Sequence, residues 1–78
     1  MKLKAAKDYY EMGVLTGFDA VRDPMVPGAW LLAISGKEGH SWTLRTALGK
    51  DKSFSSLDTL IGQVEEITGR VSSFHINI

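Results

Sequence analysis

The sequence predicts an α+β domain, a two-layer sandwich in the order α-β-β-β-α-β. Its mixed four-stranded sheet should carry both helices on one face. Three observations carry this expectation. Residues 2–12 and 57–67 place apolar side chains at helical spacing. Residues 14–22, 29–35, 41–48 and 71–78 are short, bounded by turn residues, and read as strands. The chain has 78 residues, of which 44% are apolar, which suits one domain spanning 1–78 and leaves no room for a second.

The first helix rests on Leu3, Ala6 and Tyr10, which fall on one stripe, and Gly13 supplies the usual stop. A helix of this length does not hold alone in water, so it must dock on the sheet. The first strand follows, with Phe18 and Ala20 as its inward side chains. Asp23-Pro24-Met25-Val26-Pro27-Gly28 breaks regular structure and reads as the loop into the next strand, since proline lacks a ladder donor and glycine allows tight reversal.

Residues 29–35 form the most apolar run, and a loop with two glycines at 36–40 leads into residues 41–48. A symmetric hairpin here places Ile34 opposite Trp42, Leu32 opposite Leu44 and Trp30 opposite Thr46, all on the core face. Leu31, Ala33, Thr43 and Arg45 then take the open face. After a polar loop at 49–53, Ser55 or Ser56 caps the second helix, with Asp58 at its positive end. Its core stripe reads Leu57, Leu60, Ile61, Val64 and Ile67, and Gly69 ends it. Gly62 inside this helix is expected to serve close packing against the sheet. In the last strand, Phe74, Ile76 and Ile78 alternate with polar residues. The helical crossover makes that strand parallel to the third strand or to the first.

Composition narrows the function. Nine Lys+Arg balance nine Asp+Glu, and cysteine is absent. A disulfide framework and a thiolate metal site are thereby excluded. No apolar run approaches a membrane span, and residues 1–10 lack the apolar stretch of a signal peptide, so the chain is expected to be cytoplasmic. His40 and His75 have no ligand-spaced partner. The glycine pairs at 36–39 and 49–50 miss the phosphate-loop spacing, and the nucleophile motifs G-x-S-x-G and S-x-x-K do not occur. The expectation is a non-enzyme without cofactor or metal.

Charge along the chain is uneven. Residues 1–26 sum to zero, residues 27–54 to +2, and residues 55–78 to −2. The mildly basic hairpin end supplies the candidate partner-binding residues: Lys37, Glu38, His40, Arg45, Lys50 and Lys52. A protein partner is the expected occupant. Weak nucleic-acid binding by the same residues is the alternative, although a neutral chain lacks the usual basic footprint.

The order α-β-β-β-α is similar to that of double-stranded RNA-binding domains. The fourth strand and the sequence Ser55-Ser56-Leu57-Asp58, where that family has lysines, argue against membership. The stretch Trp42-Thr-Leu-Arg-Thr-Ala-Leu-Gly49, followed by a basic loop, Phe54-Ser-Ser-Leu-Asp58 and an amphipathic helix, resembles small accessory proteins carried on plasmids and phages. The resemblance covers residues 42–69 and implies a regulatory or anti-defence role, exerted by occupying a partner's surface. It transfers no site residue. An edge strand, the last one above all, would also allow a homodimer.

Overall fold

The structure, a computed structural model, describes residues 1–69 and 76–77. Helix α1 (Leu3–Glu11) turns its predicted stripe inward: Ala6 is fully buried, and Leu3 and Tyr10 pack against the core. Gly13 follows with φ of 74°, the left-handed geometry that ends helices without a Cβ penalty.

Strands β1 (Leu15–Arg22) and β2 (Trp30–Gly36) form an antiparallel pair from Arg22↔Trp30 to Leu15↔Gly36, with a bulge between Leu15 and Gly17. Phe18 and Ala20 lie buried opposite Ile34 and Leu32. The intervening loop is held by Asp23, whose Oδ1 accepts the Met25 N–H at 2.8 Å. That bond, then the Ser53 hydroxyl and to a lesser degree the Val26 N–H, keeps the Asp23 carboxyl below its usual pKa against an opposing desolvation effect. A carboxylate with a lowered folded pKa stabilises above its unfolded pKa and loses that contribution as pH falls through the folded one. Asp23→Ala should therefore lower the melting temperature at neutral pH, and the gap from the parent should close in acid, as thermal melts across pH will show.

The third strand departs from expectation. Strand β3 (Ser41–Thr43) pairs Trp42 with Ile34, and the Leu44 N–H donates to Leu32 O at 2.9 Å, as the predicted register requires. The Trp30–Thr46 pair does not form. The chain leaves the sheet after Leu44 and doubles back through residues 44–52, where Thr46 N–H donates to Lys50 O at 2.7 Å and Lys52 N–H to Leu44 O at 2.9 Å. Gly49, at φ of 85°, makes the reversal. The chain rejoins the sheet as β4 (Ser53–Phe54), which puts Phe54 opposite Trp30. Phe54 is buried there, whereas Leu48, the last residue of the predicted strand, is 87% exposed. The larger apolar side chain wins the place beside Trp30.

Helix α2 (Leu57–Thr68) is capped by Ser56, whose Oγ accepts the Thr59 N–H at 3.3 Å. Gly69 closes it at φ of 70°. Leu60, Val64 and Ile67 are buried, but Ile61 stands at the rim, 37% exposed. Among the described residues the packing role expected of Gly62 is also absent: a Cβ there would meet nothing within 4 Å. Gly62→Ala should therefore raise stability by about 0.5–1 kcal/mol, measurable by urea unfolding, because it relieves the helix of glycine without a clash.

Strand β5 (Ile76–Asn77) runs parallel to β1, pairing Ile76 with Phe18. The rest of the predicted last strand, 71–75 and 78, lies outside the described residues. The sheet order is β3-β2-β1-β5, with β4 also on β2. It is mixed, as expected, with five strands in place of four because the third is split. Both helices contribute to one core with Phe18, Ala20, Leu32, Ile34, Leu44 and Phe54, so they share a face of the sheet. Among the described residues no helix is long and apolar enough to cross a membrane.

Candidate binding groove

The split third strand brings the N-terminal end of α1 beside the 44–52 hairpin. Met1 nitrogen donates to Thr43 O at 3.0 Å, Arg45 N–H donates to Met1 O at 2.7 Å, and Lys2 bridges Arg45 in parallel register. Between these segments lies a groove of about 470 Å³ lined by Lys2, Leu3, Lys4, Leu44, Arg45, Thr46, Ala47 and Lys52. Half-buried Leu3 and exposed Ala47 give it carbon surface, and fully buried Leu44 closes the floor from behind. Among the described residues four cations and no anion line it.

Two of those cations have partners. Arg45 Nε lies 3.6 Å from Asp51 Oδ1, both side chains about half exposed. Lys52 Nζ donates to Gln63 Oε1 on α2 and sits over the Phe54 ring, 5.4 Å from its centre. Lys52 thus ties the groove wall to the second helix. Lys2 and Lys4 are exposed, and no ion pair among the described residues involves them. They occupy the N-cap and first turn of α1, which has no acidic residue and no side-chain cap. Cations there oppose the helix dipole, so the lysines and the helix start both add positive potential at the groove.

The six sequence-predicted site residues do not form one surface. Lys37 and Glu38 lie in a 3₁₀ turn (Lys37–Gly39) at the far end of β2, with Glu38 at φ of 62°. His40 stacks on Trp42 at 5.9 Å between ring centres, and Tyr9 meets the same ring edge-on at 5.6 Å. Arg45, Lys50 and Lys52 belong to the hairpin that rejoins the sheet at Leu31. Gly36 and Leu31 are five residues apart on β2, or about 16 Å at the usual strand rise. The structure therefore keeps Arg45 and Lys52 in the groove, places Lys50 in the same hairpin outside its lining, and separates Lys37, Glu38 and His40 from it.

A larger cleft, about 560 Å³, runs between the C-terminal ends of the helices. Lys7, Glu11 and Glu66 are its charged lining residues, and Lys7 and Glu66 already pair at 3.2 Å. Its wall ends at Gly69, the last described residue before Ile76. Among the described residues no three His, Asp or Glu side chains converge as a metal site requires.

Comparison of the chain with protein-family models, with characterised proteins and with solved structures found no match.

Proposed function

We propose that this chain is a small, non-catalytic protein-binding module whose basic groove receives an acidic segment of a partner protein. The carrying observation is the pairing of carbon surface from Leu3 and Ala47 with Lys2 and Lys4, which no ion pair among the described residues involves. Carboxylates flanking an apolar side chain would satisfy both parts, the charges guiding approach and the apolar anchor holding it. A regulatory or anti-defence role on a mobile element, exerted by occupying the partner's surface, agrees with the resemblance of residues 42–69. The module needs no cofactor or metal for this role.

The test is fluorescence anisotropy with a labelled peptide carrying one isoleucine between glutamates. Lys2→Glu with Lys4→Glu should weaken its binding at least tenfold while leaving the melting temperature within a few degrees. Equal binding by parent and variant would remove the groove from consideration. A parallel titration with duplex DNA separates the nucleic-acid reading. Tight binding whose logarithm falls with log salt at about −0.9 per phosphate contact would replace the protein-binding proposal.

A further inference from the structure

The outer face of α2 carries an apolar side chain among acidic ones. Ile61 is 37% exposed although it is a large apolar side chain. Beside it Gly62 leaves the helix backbone bare, with no atom of the described residues within 4 Å of the position a Cβ would take. Asp58 and Glu65 stand three residues before and four residues after Ile61. On a helix both positions neighbour Ile61, and they are about 10.5 Å apart along the axis. The result is an apolar knob between two carboxylates, on a backbone that another surface can approach closely.

The groove beside α1 has the complementary form, a carbon-lined hollow rimmed by cations. Ile61 is not among its lining residues, so knob and groove cannot meet within one copy while α2 stays packed. We infer that the α2 face around Ile61 docks into the basic groove of a second copy, giving head-to-tail self-association. The occupant is chosen by charge complementarity. The helix segment is net acidic, the groove net basic, and the whole chain is neutral. Such a contact joins two different surfaces, so every added copy exposes a fresh groove at one end and a fresh knob at the other. It rests on the groove being a protein-binding site, and it makes the second copy a competitor of any acidic partner.

Sedimentation velocity on mixed variants tests it. The groove variant is Lys2→Glu with Lys4→Glu, and the knob variant is Ile61→Gln with Glu65→Gln. The parent should show a mass that grows with concentration and shrinks toward 8.6 kDa as salt is raised. Each variant alone should remain at 8.6 kDa. Their equimolar mixture should stop at a dimer, because one intact groove meets one intact knob. Gly62→Gln should melt no lower than the parent yet weaken association at least tenfold, which a purely structural role for this position would not do. A parent that stays monomeric at millimolar concentration, or a mixture that stays monomeric, overturns the inference. If the acidic peptide still binds in that case, the protein-binding reading survives and only self-docking fails. If the peptide also fails to bind, both fall.

Discussion

Replacing Leu60 by alanine should cost about 2–5 kcal/mol, the range for emptying a buried aliphatic site whose surroundings relax only in part. Leu60 is fully buried and joins α2 to the core that also holds Leu32, Ile34 and Phe54. A 78-residue chain has about 4–12 kcal/mol of stability in all, at roughly 0.05–0.15 kcal/mol per residue, so this loss is a large fraction of it. The melting temperature should fall by about 10 °C or more. Ile61→Ala, one residue on, should cost about 1 kcal/mol or less, because its side chain stands at the rim. Calorimetry on both variants decides which face of α2 is the core face. Equal losses at the two positions would mean that the helix is rotated from the orientation described here.

Gly36→Ala should destabilise by about 1–3 kcal/mol, the usual penalty of overpacking. A Cβ at Gly36 would sit 2.6 Å from Trp42 Cζ3, 2.9 Å from Trp42 Cη2 and 3.3 Å from Val14 O. The indole has little room to yield, since His40 stacks on it and Tyr9 meets it edge-on. The backbone at Gly36 is extended, with φ of −129°, so the cost comes from space alone. Trp42→Leu should remove the obstruction. In the Trp42→Leu background the added methyl should therefore cost less than in the parent, and a double-mutant cycle read by urea unfolding will show that coupling. Additive losses would mean that Trp42 is not what the methyl strikes.

Much of this fold was legible in local patterns. The Leu3-Ala6-Tyr10 stripe, the glycine stops at 13 and 69, the Ser56 cap and the Ile34–Trp42 register all follow from residues close in sequence. What failed was decided by competition at a distance. Alternation through Leu48 suited a long strand, but Phe54 fills the place beside Trp30 better than Thr46 does. The five-residue apolar stripe of α2 was one residue wider than the sheet could cover, which left Ile61 at the edge.

The groove was hidden for a similar reason. Summing charges over residues 1–26 set Lys2, Lys4, Lys7 and Arg22 against Asp8, Glu11, Asp19 and Asp23, and the total vanished. The fold instead sets Lys2 and Lys4 beside Arg45 and Lys52, through a bridge between Lys2 and Arg45 that no local pattern announces. One signal was available. A helix that opens on two lysines and no acid contradicts the usual charge order of a helix start.

The break between Thr43 and Ser53 has a consequence for how safely the protein can be concentrated. An uninterrupted strand from 41 to 48 would offer a long flat row of unsatisfied amides and carbonyls, the template on which chains stack into amyloid-type ladders. Here that flank is cut into a three-residue and a two-residue piece, with a twisted excursion jutting out between them. Met1 and Lys2 already take up hydrogen-bonding positions along Thr43 and Arg45. The detour that builds the groove also denies a stacking chain a continuous surface on which to add.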